Sequence, residues 1–400
     1  MNKKHVGDLI YSIAGIAAMN GVIQFLLYPY LTARMGAEDF GTALAMISLV
    51  SIVGSTFGVA ANYSRVVTKA RNGGGNGDYN IFLLMICLVS VAVSAVGMLW
   101  FETFSWIEFL LFYLLMIFTL LRYYADVEFR LKVNYKGYLI FYILISLGYL
   151  LGMLLFPYTK SWKLTILIGE LLAVGYVIWK GTIFKFPLFE KTPFFSSNMR
   201  SIVIMSATEL VVALVLNADR LLLQVYAGGA AVTVFYAATL IGKMFSLVTT
   251  PLNGVLIGHL AKNNKMMTGK RYGVICFWSI TAGCVLSVMC VPVSYLFVGI
   301  MYPDVFAAAK AYFWLGNASQ VLFFLSNTLT VILLRYADEK YQLYINVIYL
   351  GLFVCIAIPL VMRYTLWGMA IALLAVNLLK VILVALWGSR ILKKQEKKSV

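Results

Sequence analysis

Twelve apolar segments, each long enough to cross a lipid bilayer, dominate this sequence. A helix rises about 1.5 Å per residue, so roughly 20 apolar residues cross about 30 Å of hydrocarbon. The segments are apolar all round, whereas the strands of a membrane barrel alternate polar and apolar residues. We therefore predict an all-α integral membrane protein with twelve transmembrane helices, near residues 9–31, 41–63, 80–100, 107–125, 137–157, 164–180, 201–226, 232–258, 272–301, 308–334, 341–361 and 365–389.

Composition excludes the main alternatives. Of the 400 residues, 62% are hydrophobic and only 12% are charged, against about 45–50% and 25% in soluble domains. Too little polar surface exists to cover a water-soluble globule, and the hydrophobicity is too high for a disordered chain. The net charge of +16 lies mostly in short loops on one side of the membrane. We therefore expect membrane lipid, and no nucleic acid, as a partner.

The distribution of basic residues predicts the orientation. Twenty-four of the 32 Lys and Arg residues lie at one set of segment ends, and five lie at the other. Cytoplasmic loops carry the excess of Lys and Arg. We therefore expect both termini to be cytoplasmic, in a multi-pass protein of the plasma membrane whose outer loops are short.

An internal repeat divides the segments into two sets of six. The fourth segment ends in Leu121-Arg122-Tyr123-Tyr124-Ala125-Asp126, and the tenth ends in Leu334-Arg335-Tyr336-Ala337-Asp338. Gly36-Ala37-Glu38, after the first segment, has a weaker counterpart in Gly228-Gly229-Ala230, after the seventh. Because six is even, the halves have the same orientation, as in parallel-repeat transporters with a central cavity. The predicted organisation is a six-helix lobe (1–180), a cytoplasmic linker (181–200) and a second six-helix lobe (201–400).

With these features the chain resembles the multidrug/oligosaccharidyl-lipid/polysaccharide (MOP) flippase superfamily, and within it the bacterial Wzx-type flippases. The resemblance is strongest in three stretches of the sequence, namely Arg34-Met35-Gly36-Ala37-Glu38-Asp39-Phe40-Gly41, Leu121-Arg122, and Asn217-Ala218-Asp219-Arg220 through Tyr236-Ala237-Ala238. The resemblance implies an undecaprenyl-pyrophosphate-linked oligosaccharide repeat unit as cargo. The cargo would move from the cytoplasmic to the outer leaflet of the bacterial inner membrane through a basic lumen, for O-antigen, capsule or related surface polysaccharide synthesis. Functional coupling to a polysaccharide polymerase would follow.

Six ionisable residues lie inside the predicted spans, where a charge is costly and generally faces a cavity or a partner. In one interpretation, three of them line the cavity and bind the pyrophosphate that the resemblance implies. In the other, they form structural pairs with the three carboxylates, which could also carry a coupling proton or sodium ion. The basic residues are Arg220, Lys243 and Lys380, and the acidic ones are Glu170, Glu209 and Asp219.

Neutral polar residues offer a second kind of candidate site. Asn20 and Gln24 share one helix face, as do Asn317 and Gln320, because residues three or four apart lie on the same side. Their amides could bind sugar hydroxyls, since amides both donate and accept hydrogen bonds. Interhelical hydrogen bonding is the equal alternative.

Two arginines lie at cytoplasmic span ends. We expect Arg122 and Arg335 to anchor the helices at the membrane interface. The alternative is a gating role.

Two rival functions remain open. A cation-coupled exporter of small amphipathic drugs would depend on a membrane carboxylate, Glu209 or Asp219. The drug-exporting branch often has an Asp in its first span, where this chain has Asn20 and Gln24. A membrane polysaccharide polymerase would need larger outer loops. The sequence lacks a phosphate-cradling GxxxxGK[ST] motif, and its five Cys and two His residues show no metal-ligand spacing. We therefore expect no enzyme activity, no cofactor and no metal.

Overall fold

The computed structural model describes residues 3–70, 75–101, 103–245, 249, 268–334 and 340–399. These residues form helices joined by short loops, and no strand occurs among them. Within these residues, ten continuous helical stretches are long and apolar enough to cross a membrane. The predicted all-α membrane architecture is therefore confirmed.

The chain divides into two compact units. One unit comprises residues 1–36 and 42–218, and the other comprises residues 37–41 and 219–400. The helices of the first unit are α1 (Lys3–Gly21), α2 (Tyr28–Met35), α3 (Ala37–Val53), α4 (Ala60–Ala70), α5 (Asn76–Trp100), α6 (Trp106–Ala125), α7 (Val127–Lys132), α8 (Tyr135–Thr159) and α9 (Trp162–Lys180), with the first turn of α3 assigned to the second unit. The helix α10 (Phe195–Met244) begins in the first unit and ends in the second.

The rest of the second unit consists of four further helices and one short 3₁₀ turn, Lys310–Tyr312. The helices are α11 (Gly269–Met301), α12 (Pro303–Ala309), α13 (Phe313–Leu334) and α14 (Lys340–Ser399).

Two of the helices are too long for a single crossing. The apolar parts of α10 and α14 each extend over 50 residues, or about 75 Å at 1.5 Å per residue. A break divides each one: Gly228 has φ 81° and ψ 177°, and Thr365 has φ 48° and ψ −118°. Each side of a break is one apolar segment, so the described helices account for eleven of the twelve predicted spans and for the first part of the eighth. Most of the predicted 246–258 part of the eighth span lies outside the described residues.

The predicted linker is hydrogen-bonded to α5 of the first unit. The Asp78 carboxylate accepts hydrogen bonds from the Thr192 backbone N–H at 2.9 Å and from the Thr192 hydroxyl at 2.6 Å. The Asn76 amide donates to the carbonyl oxygens of Thr182 and Lys185, both at 2.9 Å. The boundary between the units consequently falls inside α10, after residue 218, and not in the 181–200 segment.

Large apolar side chains cover the outside of the helices. Trp106, Ile107 and Leu154 are each more than 70% exposed. Soluble monomers rarely expose extended apolar patches, so this surface belongs against lipid. The protein is therefore a multi-pass membrane protein.

Helices α8 and α9 approach each other closely at small residues. A Cβ atom added to Gly148 would lie 2.4 Å from the Cα atom of Gly169. Small residues at such contacts let membrane helices pack backbone against backbone. This packing fixes the position of α9, which carries Glu170.

Two π-helical turns interrupt the first two spans. Val22–Leu27 lies between α1 and α2, and Gly54–Val59 lies between α3 and α4. A π-helical turn is rare, and it occurs frequently at functional sites.

The loop after the first span shares its backbone geometry with the break in α10. Gly36 has φ 83° and ψ 167°, close to the angles of Gly228. Almost only glycine adopts this combination. The predicted repeat aligns Gly36 with Gly228, and the similar backbone angles of the two glycines agree with that alignment. The second predicted correspondence cannot be compared, because Arg335 and its neighbours lie outside the described residues.

The Glu38 carboxylate caps the helical segment that follows Gly228. It accepts hydrogen bonds from the backbone N–H groups of Gly229 and Ala230, both at 2.8 Å. The first N–H groups of a helix have no partner within it, and a negative charge is favourable there. Glu38 therefore stabilises the start of the eighth span.

We expect Gly228→Ala to lower the thermal stability of the purified protein. An alanine there must keep a positive φ, at a cost of about 1–3 kcal/mol, and its Cβ atom would lie 3.2 Å from a Glu38 carboxylate oxygen. Gly351→Ala is the control, since Gly351 is helical with open space around it. Thermal unfolding in detergent checks this, and equal midpoints for the two variants would contradict it.

Candidate functional site

A buried ion pair lies inside the first unit. Arg122 Nε donates to Glu170 Oε2 at 2.5 Å, and the Tyr149 hydroxyl donates to Glu170 Oε1 at 2.8 Å. The Arg122 guanidinium also lies 4.1 Å from the centre of the Tyr123 ring. Arg122 is 7% exposed and Glu170 is 2% exposed. The pair is thus held in an aromatic, water-poor environment.

The interfacial-anchor prediction for Arg122 is therefore wrong. Its place near the end of α6 suggested contact with headgroups, but the side chain pairs inward with Glu170 of α9, 48 residues further along the chain. The last charged residue of the same motif is also bonded internally, because Asp126 accepts a hydrogen bond from Asn62 at 3.0 Å. Arg335, the other predicted anchor, lies outside the described residues.

The ion pair lines a cavity of about 190 Å³ in the first unit. The cavity brings together two residues proposed from sequence for sugar binding, Asn20 and Gln24, with Glu170, proposed for ion coupling. Ile23, Gln24 and Leu27 of the first π-helical turn also line it. The second π-helical turn packs beside it, since a Cβ atom on Gly54 would lie 2.9 Å from the Thr119 side chain, which lines the cavity.

Three sequence-predicted residues cluster in the second unit. Asp219 Oδ2 pairs with Lys243 Nζ at 2.7 Å, and Asp219 Oδ1 accepts the backbone N–H of Arg220 at 2.9 Å. The Arg220 guanidinium lies 5.5 Å from the centre of the Tyr236 ring. Its Nε atom is buried with no hydrogen-bond partner within the described chain. Lys243 is therefore neutralised by a structural pair, as the alternative interpretation expects. The Arg220 side chain forms no ion pair within 4 Å with any carboxylate of the described residues.

Lys380 has a different environment. It is 4% exposed, and its Nζ donates to Asn327 Oδ1 at 2.7 Å. The same Nζ lies 4.5 Å from the centre of the Phe323 ring and 4.8 Å from that of Tyr349. No carboxylate of the described residues lies within 4 Å of it. Lys380 is a buried cation stabilised by an amide oxygen and two aromatic faces.

Asn317 is occupied by the fold. Its side-chain oxygen accepts the Gly242 backbone N–H at 2.6 Å, and its amide donates to Ser294 Oγ and to the Phe313 carbonyl. This is the interhelical bonding that was the alternative for Asn317. Gln320, one turn along, is 7% exposed and makes no side-chain hydrogen bond to any residue in the described ranges.

Glu209 takes no part in the ion pairs of the described residues. It lies half-buried on α10 in the first unit. Across the described residues it forms no ion pair and no hydrogen bond. Its role in ion coupling stays a prediction. No group of three or more His, Cys, Asp or Glu side chains in the described ranges is placed to hold a metal ion.

Two features of the site escaped the sequence interpretation. One is the pairing of Asn327 with Lys380. Asn327 lies seven residues after Gln320 and extends the polar face of α13, but this position does not identify its partner. The two π-helical turns carry no Pro and share no composition, since one reads VIQFLL and the other GSTFGV, so no single local signal marks both.

No protein-family model matches the sequence, and no curated protein matches it significantly. Solved structures do match it over nearly the whole chain. One is a multidrug resistance MATE-family transporter of the MOP superfamily, inward-facing, with TM-score 0.67, 12% identity, and 98% of this chain and 96% of that chain covered. Another is the lipid II flippase MurJ, inward closed, with TM-score 0.67, 14% identity, and coverage of 94% and 86%.

A third similar structure is the Vibrio cholerae MATE transporter VcmN in its bent form, with TM-score 0.62, 12% identity, and coverage of 97% and 96%. At these identities the likeness concerns the fold. The chain therefore shares its fold with these solved structures, which include MATE transporters and a lipid II flippase.

We expect the Arg122–Glu170 pair to be strongly coupled in stability. Removing one partner leaves an uncompensated buried charge, which costs about 3–5 kcal/mol, whereas replacing both partners by apolar residues costs much less. Arg122→Met and Glu170→Met should each lower the thermal midpoint, and the double variant should recover most of the loss. A double variant as unstable as the two single losses added together would contradict the coupling.

Proposed function

We propose that the protein is a flippase that moves an undecaprenyl-pyrophosphate-linked oligosaccharide from the cytoplasmic to the outer leaflet by alternating access. Its place would be the bacterial inner membrane, and its product would supply surface polysaccharide synthesis. The observation that carries the proposal is Lys380, a buried cation without a carboxylate partner in the described chain. Buried charges in membrane proteins are costly and mark substrate pathways. A pyrophosphate group supplies the missing negative charge.

The charge balance of the second unit supports an anionic cargo. Within the sequence-predicted span bounds, Asp219 is the one carboxylate among the described residues of that unit, and it is paired with Lys243. Arg220 and Lys380 then remain as positive groups beside aromatic rings. Planar guanidinium and compact ammonium groups are the usual protein ligands of phosphate oxygens. Arg220 and Lys380 are therefore the proposed headgroup contacts, and Lys243 holds Asp219 in place.

The cation-coupled drug exporter is the second candidate, because exporters share this fold. It would use a membrane carboxylate, and the lysines would have no role in cargo binding. Glu209 favours the exporter, because its carboxylate forms neither an ion pair nor a hydrogen bond with the described residues. The polymerase alternative has no such support: the matched structures named above are transporters.

The first experiment compares polyprenol-linked oligosaccharides in cells with and without the gene. The proposal expects complete repeat units to accumulate on the cytoplasmic leaflet and surface polymer to disappear when the gene is deleted. Unchanged lipid-linked sugars with increased drug sensitivity would favour the exporter instead. Repeat units that reach the outer leaflet but stay unpolymerised would favour the polymerase.

We expect Lys380→Met to reduce flipping at least tenfold, because an apolar side chain cannot neutralise the pyrophosphate. Lys380→Arg should retain more activity than Lys380→Met, since the positive charge remains. Lys310→Met is the matched control, because Lys310 is exposed on the 3₁₀ turn. The measurement is the rate at which a polyprenyl-pyrophosphate-linked sugar becomes accessible on the opposite face of proteoliposomes. Equal rates for Lys380→Met and Lys310→Met would overturn the role of Lys380.

A further inference from the structure

We infer that the cavity of the first unit is a binding site for one uncharged sugar ring. This inference rests on the proposed function, because the ring would be part of the lipid-linked cargo. It adds a site whose size, charge and chemistry all restrict the ligand.

The cavity is smaller than a drug site. Its volume is about 190 Å³, whereas pockets for drug-sized ligands have volumes of about 300–1,000 Å³. A single pyranose ring with its hydroxyl groups is a ligand of this size.

The charge of the cavity is balanced internally. Arg122 and Glu170 both line it and are bonded to each other at 2.5 Å. An added cation would compete with Arg122 for the carboxylate, and an added anion would compete with Glu170 for the guanidinium. Since burying an unmatched charge is costly, the pair favours a neutral ligand that forms many hydrogen bonds.

The lining offers the donors and acceptors that sugar hydroxyls require. Glu170 is an acceptor, and Arg122 has five N–H donors, of which Nε is used for Glu170. The Asn20 amide donates to the Ile16 carbonyl at 2.9 Å, and its side-chain oxygen has no hydrogen bond within the described residues. Ser51 adds a hydroxyl to the lining. A sugar hydroxyl can donate to one of these groups and accept from another.

Aromatic rings supply the second element of sugar recognition. Tyr123 and Tyr149 line the cavity, and each combines a flat apolar face with a polar tip. The apolar C–H face of a pyranose packs against such a ring. The adjacent π-helical turns are an independent indication of a functional site, since they occur frequently at such sites.

The first test is binding of methyl glycosides of common hexoses and N-acetylhexosamines to the full-length protein in lipid nanodiscs, measured by saturation-transfer NMR. We expect at least one glycoside to bind saturably at millimolar concentration. Asn20→Leu should weaken that binding at least tenfold, because it removes the amide while roughly keeping the volume. If no glycoside binds the wild-type protein, the inference is overturned.

A matched pair of serine variants tests the site independently, in case Asn20→Leu misfolds. Ser51 lines the cavity, whereas Ser55 lies one turn further and donates to the Ser51 carbonyl at 2.6 Å. We expect Ser51→Ala to weaken glycoside binding several-fold and Ser55→Ala to leave it unchanged. Equal binding by the wild-type protein and Ser51→Ala would place the sugar elsewhere and overturn the inference.

A transport experiment separates this inference from the proposed function. Proteoliposomes receive either a polyprenyl-pyrophosphate-linked sugar or the sugar-free polyprenyl pyrophosphate. Asn20→Leu should slow only the sugar-bearing lipid, and Lys380→Met should slow both. If Asn20→Leu leaves both rates unchanged, the sugar site is overturned and the flippase proposal stands. If the wild-type protein moves neither lipid while Asn20 still governs glycoside binding, the flippase proposal fails and the sugar site stands.

Discussion

The hydrocarbon core of the membrane offers no hydrogen-bond partner to a polar group, so polar groups within the spans have to find their partners inside the protein. It explains why the described backbone is almost wholly helical and why Arg122 pairs with Glu170. It also explains why the three bonds of Asn317 all end on neighbouring protein atoms. Lys380 differs from these residues. Its amino group contacts a neutral amide and two aromatic rings, and no carboxylate of the described residues neutralises it.

The two units differ in the electrostatic surroundings that their helices provide. The first unit holds a balanced ion pair at a small cavity, and the second unit holds basic groups in excess. A lipid-linked oligosaccharide has the corresponding parts, namely neutral or weakly polar sugars joined to a doubly charged pyrophosphate. The fold alone does not select this cargo, because exporters and the lipid II flippase match it with 12–14% identity. The choice of cargo depends on the side chains.

Features encoded locally could be predicted from the sequence. Segment length and apolar composition located the spans, and the break at Gly228 fell in the short loop expected between two of them. Gly36 and Gly228 share a backbone conformation with positive φ. Almost only glycine adopts that conformation, so the two glycines in the sequence already indicate it. Contacts between distant segments could not be predicted in this way. The Arg122–Glu170 pair depends on the packing of α6 against α9, and the Lys380–Asn327 bond joins residues 53 positions apart.

The cap that Glu38 provides also has a consequence for biosynthesis. Its partner Gly229 follows 191 positions later, which corresponds to about 10–40 s of translation at roughly 5–20 residues per second. During that interval residues 37–41, which belong to the second unit, exist without their partners Gly229 and Ala230, and Glu38 has to remain available until α10 has been inserted. The second unit is therefore not encoded by one continuous stretch of chain. A gene fragment that begins at the basic linker would make a protein whose eighth span lacks its cap.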